Sequence, residues 1–200
     1  MHRSRFVCLV LFCASFAFSL PTVRAATPSA APPSAGPAVE RTLKTLIGAI
    51  RYDKDDLAIK QLDIQAMADA LLVGAPTPLT PAQRQTFAAN FDQLLRQISF
   101  AKGRELFKYL DAVLYGPPQA HGDRVHCRCT VVVHRELKKQ EILIEWVLME
   151  RAGKFVVVDM ISGGESTLEA IRTDQVLPLL KEGGAEALLA AMRKQGATSQ

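Results

Sequence analysis

"RVHCRCTVVVH", residues 124 to 134, is the stretch on which the fold turns. Val125, Cys127, Cys129, Val131 and Val133 share one face, and His126, Arg128 and Thr130 share the other. A period of two is that of a β-strand. Two more β-rich runs follow, "EILIEWVLM" at 141 to 149 and "KFVVVDMI" at 154 to 161. The connections "RELKKQ" and "ERAG" are short and polar, which predicts antiparallel pairing. The second and third runs are apolar on both faces, interrupted by Glu145 and Asp159. A sheet wet on one side alternates more cleanly. Either both faces are covered, or one lines a hydrophobic cavity.

Upstream the period is helical. Leu43, Leu46, Ile47 and Ile50 recur at helix spacing. Asp63 is the expected N-cap of "IQAMADALLVG", and Gly74 its stop. Thr80, Pro81 and Gln83 form a capping box with proline at the first helical position. Phe87, Phe91, Leu94, Leu95 and Ile98 then share one face. A further helix is expected over 103 to 115, with Leu106, Phe107, Leu110, Val113 and Leu114 apolar, ended by Gly116, Pro117 and Pro118. Downstream of the strands come closing helices. The first carries Leu168 and Ile171, and Pro178 is expected to separate it from the next. Helices, a meander, then helices make an α+β fold.

The start of the chain reads as an address. "MHRSR" is basic, "FVCLVLFCASFAFSL" is apolar, and Val23 and Ala25 are small residues before a cleavage point. Residues 1 to 25 therefore fit a secretory signal peptide, too short for a membrane span of ~20 residues. The Ala/Pro/Ser/Gly-rich segment 26 to 38 is expected to be a disordered tether, and 39 to 195 a single domain. Losing Arg3, Arg5 and Arg24 leaves 21 basic residues against 20 acidic ones, a net charge of +1. That balance argues against nucleic acid or an anionic membrane as partner. Cys8 and Cys13 leave with the signal, and Cys127 and Cys129 alone make no disulfide framework.

Few residues suggest chemistry. "SGGEST", 162 to 167, lies between a strand and a helix, as a phosphate loop would. It lacks GKS, GKT and GxGxxG, and Glu165 and Glu169 stand where an anion would bind. Ser166 and Glu169 instead have capping-box spacing, and Gly163 and Gly164 supply the turn. Cys127 and Cys129 read as buried small residues or as a redox pair; a zinc site would need about four ligands, so no metal is expected. His126, His134, Glu145 and Asp159 are the candidates for acid/base chemistry, though no spacing brings two of them together.

The residues from Val156 to Gln195 resemble the C-terminal half of the MlaC, or toluene-tolerance (Ttg-type), family of periplasmic phospholipid-binding proteins. Asp159, Gly164, Ser166 and Arg172 occupy that family's motif places, followed by Gly183, Gly184, Leu188 and Leu189. Asp63, Met67 and Gly74, and then Thr80, Pro81, Gln83, Phe87 and Phe91, look like its earlier helices, so the likeness spans about residues 39 to 195. Phe155, Gly163, Glu165 and Ile171 depart from the usual residues and mark a divergent member.

The resemblance implies a cone of helices around a curved antiparallel sheet, enclosing a hydrophobic lipid cavity. It implies a monomeric shuttle without cofactor or catalysis. Such a shuttle would carry phospholipid between an outer-membrane lipoprotein complex and an inner-membrane MCE-domain ABC transporter, maintaining outer-membrane lipid asymmetry. A hopanoid carrier, or a pocket enzyme of similar shape, are the alternatives. The expected cavity lining is Met67, Leu71, Phe87, Phe91, Leu94, Leu110, Cys129, Val131, Ile144, Trp146, Val157 and Ile161, each of which also suits a solid core.

Overall fold

The computed structural model describes residues 29–30, 35–135 and 138–198; the segment 1 to 25, expected to be a signal peptide, lies outside them. The order is β1 (Ser29–Ala30), α1 (Ala35–Arg51), α2 (Asp55–Ile59), α3 (Ile64–Leu71), α4 (Pro81–Leu94), a π-helical turn (Leu95–Phe100) and α5 (Ala101–Phe107). Then come β2 (Leu110–Tyr115), β3 (Gln119–His121), β4 (Arg124–Arg135), β5 (Lys138–Arg151), β6 (Lys154–Ser162) and β7 (Glu165–Ser166). α6 (Thr167–Ile171), a second π-helical turn (Arg172–Val176) and α7 (Leu177–Thr198) close the chain.

β4, β5 and β6 form the expected antiparallel meander. Cys127 lies opposite Trp146 and Cys129 opposite Ile144, while Trp146 also faces Met160 across β5 and β6. β2 and β3 both pair with β4, one along 129–133 and the other along 124–126. The inner face carries Cys127, Cys129, Val131, Val133, Ile144 and Leu148, all buried in one core with Leu43, Leu46 and Ile47 of α1 and Phe107 of α5. The outer face is partly wet: Leu114 is 59% and Leu143 64% exposed, facing each other across Thr130. A second core joins Phe87, Phe91 and Leu94 of α4 to Met67 of α3, Leu168 of α6 and Leu188 of α7. Ile59 and Leu62 pack against both cores.

The caps form where the sequence places them. The Asp63 carboxylate accepts from Ala66 N at 3.0 Å. Thr80 and Gln83 make the full reciprocal box. The Ser166 hydroxyl accepts from Glu169 N at 3.0 Å, but the Glu169 carboxylate turns to Arg172 rather than back to Ser166.

Three expectations are corrected. The segment 26 to 38, expected to be a tether, is helical from Ala35 on, where α1 starts with that residue buried, and its Ser29–Ala30 pair with β3. Pro37 stands in the first turn of α1, where a missing N–H costs nothing. The helix over 103 to 115 stops at Phe107, and Leu110–Tyr115 is a strand. Its apolar residues satisfied helical spacing, but ladder pairing with β4 prevails over that local pattern. Pro178 does not separate the Leu168/Ile171 helix from the next: a π-helical turn joins α6 to α7, and the backbone leaves helical geometry later, at Gly183 (φ −149°) and Gly184 (φ +65°). Pro178 is the second residue of α7, just past the π-helical turn whose end bonds Leu177 N to Arg172 O, so its missing donor falls where the helical ladder is already shifted.

Candidate functional site

An apolar cavity of about 120 Å³ lies where the two cores meet. Ile144 and Trp146 of β5 and Val157 and Met160 of β6 form its floor. Leu46 and Ile50 of α1, Gly103, Leu106 and Phe107 of α5, Phe91 and Leu95 near the first π turn, and Leu168 and Ile171 of α6 form the walls. Met67 of α3 and Leu62 complete it, with Ser99, Lys102, Asp159 and Thr167 as the polar contributors. Gly103 lets α5 approach α1: a Cβ there would lie 2.9 Å from Ile50 Cγ2.

A second void of about 30 Å³ lies within the helical core. Leu71, Phe87, Leu94 and Leu188 line it, and Phe91 and Ile171 stand between it and the larger cavity.

The expected lining residues divide accordingly. Met67, Phe91, Ile144, Trp146 and Val157 stand on the larger cavity. Leu71, Phe87 and Leu94 border the smaller one. Leu110, Cys129, Val131 and Ile161 border neither: Cys129 and Val131 are solid core beneath α1, and Leu110 and Ile161 are half-buried. The walls from α1, α5 and α6 were missed. Leu46 and Ile50 show helical apolar spacing, but nothing in that spacing separates a cavity wall from packed core.

The motif residues form a joint. Asp159, within β6, is buried and accepts from Met160 N (2.7 Å), Leu168 N (3.2 Å) and the Ser166 hydroxyl (2.5 Å). Ser166 in turn caps α6. Arg172 at the end of α6 donates to Val73 O at 3.0 Å, holding the turn after α3. Gly163 (φ +61°) and Gly164 (φ +87°) make the two-residue hairpin turn between β6 and β7, where positive φ at both places is required. The joint thus fixes α6 as a cavity wall against the sheet.

The acid/base candidates are not gathered at the cavity. His126 and Glu145 do meet, Nδ1 to Oε1 at 2.6 Å, and Arg128 Nε donates to Glu145 Oε2 at 2.7 Å. They lie on the sheet face opposite Cys127 and Trp146, with the His121 ring 4.3 Å from that of His126. His134 is exposed at the end of β4. Burial acts to raise the Glu145 carboxyl, but Arg128 and His126 outweigh it and hold it below its ordinary value of 4.5. Burial likewise acts to raise Asp63, and its bonds to Ala66 N and Arg151 lower it below 3.8.

A carboxyl depressed in the fold gives stability that is complete above its unfolded value and is lost as pH falls through the folded one. Urea unfolding is therefore expected to show stability falling below about pH 4.5. Glu145→Gln is expected to flatten part of that fall; an unchanged acid profile in the variant would contradict the assignment.

Cys127 and Cys129 are free and buried, their sulfurs 3.9 Å apart. The hydrogen bond with Cys127, together with burial, pushes the Cys129 thiol up, away from the reactive thiolate. Maleimide is expected to label neither thiol in the native chain and both after unfolding in reductant. Rapid native labelling would restore the redox reading.

Three comparisons bear on this geometry. The model of the MlaC protein family matches residues 44–194. A phospholipid-binding protein from Ralstonia solanacearum, solved in complex with a phospholipid, shares the fold. It has 18% identity and a TM-score of 0.65, over 82% of this chain and 98% of that one. A second solved structure, Rd1NTF2_05, has 17% identity over 62% of this chain and 96% of its own, with a TM-score of 0.35 that bears no weight. No curated protein matches the chain.

Proposed function

This chain belongs to the MlaC protein family, and we propose that it is a lipid carrier holding the acyl chains of a phospholipid in the cavity between its two cores. The observation that carries this reading is the cavity itself, built almost wholly of apolar side chains at the seam of an α+β fold. Transfer of each CH₂ from water to such a wall is favourable by about 0.8 kcal/mol, so affinity needs no charged site.

At about 120 Å³ the cavity is smaller than the ~300–1,000 Å³ of pockets that hold drug-sized ligands. Loading therefore requires the helical walls to move off the sheet. The π-helical turn Leu95–Phe100, with its weaker backbone ladder, lies in the moving wall.

The reading extends to place and partners. The first 25 residues fit an export signal, and among the described residues no helix is long and apolar enough to cross a membrane, which fits a periplasmic carrier. The partners we propose are an inner-membrane MCE-domain ABC transporter and an outer-membrane lipoprotein complex, the chain acting as a monomer without cofactor. Family membership is what supports them. We propose that it carries out no catalysis: the Asp159 oxygens already accept three bonds, and the His126–Glu145 pair lies across the sheet from the cavity.

The test is transfer. Delipidated protein is expected to speed movement of a fluorescent phospholipid between two vesicle populations in proportion to its concentration. Transfer no faster than without protein would contradict the carrier role.

A further inference from the structure

Trp146 is the single tryptophan of the chain. It stands on the cavity floor, on β5 between Cys127 and Met160, and is 7% exposed. An indole can only donate. Its Nε1 is buried and has no acceptor among the described residues. Buried polar groups nearly always find a partner, because one left unpaired has lost its water for nothing. The remaining unpaired buried atoms, on Asn90 and Gln97, belong to residues that do not line this cavity. The buried carboxylate on the wall, Asp159, makes its bonds elsewhere, to Met160 N, Leu168 N and Ser166, and none to the indole.

We propose that the missing acceptor arrives with the ligand, and that Trp146 Nε1 donates to an ester carbonyl oxygen of the bound lipid. This rests on the lipid reading of the cavity. A neutral acceptor suits this floor best: the basic residue that lines the cavity, Lys102, belongs to α5, while Trp146 shares the floor with Ile144, Val157 and Met160. Burying a phosphate against that apolar floor would cost the desolvation of a full charge. A hydroxyl would bring a donor of its own into an apolar wall. A carbonyl accepts and requires nothing in return. In a glycerolipid it stands at the head of each acyl chain, with the hydrocarbon continuing into the cavity. The cavity would therefore distinguish acyl-ester lipids from ether-linked chains, plain hydrocarbons and polycyclic alcohols.

The experiment compares a diacyl phosphatidylcholine with the dialkyl ether analogue of equal chain length, competing for delipidated full-length mature protein. The wild type is expected to favour the ester by about fivefold, the worth of one neutral hydrogen bond. Trp146→Phe is expected to abolish that ratio, whatever its absolute affinity. The lone indole N–H signal in a ¹H–¹⁵N spectrum is expected to move downfield on loading with the ester and not with the ether. Equal affinities in the wild type, or a preference that survives in Trp146→Phe, would overturn the proposal. So would an indole signal already downfield in the lipid-free protein and unmoved by loading, which would mark a bound water as the partner. The wild-type ratio and spectrum decide the matter even if the variant fails to fold. Binding of neither lipid would bring down the carrier reading itself, an outcome distinct from binding without preference.

Discussion

Replacing Asp159 by alanine is expected to destabilise the folded chain by about 3–5 kcal/mol. The loss has identifiable parts. Met160 N and Leu168 N, both bonded to Asp159 Oδ1, lose a charged acceptor in a buried place. Leaving a buried donor unpaired costs about 1–3 kcal/mol each. The Ser166 hydroxyl loses the oxygen that holds it at 2.5 Å in the capping position. Ser166→Ala is expected to cost less, about 1–2 kcal/mol, since it removes a cap and one bond but leaves Asp159 its two backbone donors. Equilibrium unfolding in urea measures both. A loss under 1 kcal/mol for Asp159→Ala would mean that α6 is not held to β6 through this carboxylate.

Phe91→Ala tests the cavity through its wall. Phe91 is 3% exposed, stacks on Phe87 with ring centroids 6.5 Å apart, and stands between the two voids. Truncation removes one of the two side chains between them, Ile171 being the other, and opens space from one void towards the other. In a lipid-free chain the cost is expected to be about 3–5 kcal/mol, the range for a buried phenylalanine. In an ordinary core that loss is independent of lipid. Here the enlarged space is open to acyl chains, and a ligand that binds only the folded state stabilises it by mass action. Addition of phospholipid is therefore expected to raise the melting temperature of Phe91→Ala by at least as much as that of the wild type. A variant that loses stability and no longer responds to lipid would place Phe91 in the packed core alone.

Much of this architecture could be read from local chemistry. The alternation of Cys127, Cys129, Val131 and Val133 gave a strand face, and that face is buried. Caps are short-range devices, so Asp63, Thr80 and Ser166 were legible three residues at a time. The strands apolar on both faces left two readings, covered faces or a cavity wall, and Ile144, Trp146 and Val157 border a cavity. What failed needed long-range information. Leu110–Tyr115 is a strand because β4 offers it a partner some twenty residues on, which no local window contains. Cys129 and Val131 share the inner face with the cavity residues of β5 yet are sealed beneath α1, because cavity and core differ only in what packs above them. The reciprocal half of the Ser166 cap gave way to a stronger attraction, the Glu169 carboxylate pairing with Arg172.

The central claim is that this cavity holds phospholipid acyl chains. The most direct measurement is native mass spectrometry of the protein expressed from its full-length sequence and purified without added lipid. The expected spectrum shows the chain with one diacyl phospholipid bound, the adduct identified after extraction. A lipid-free mass that persists after incubation with phospholipid vesicles would contradict the claim.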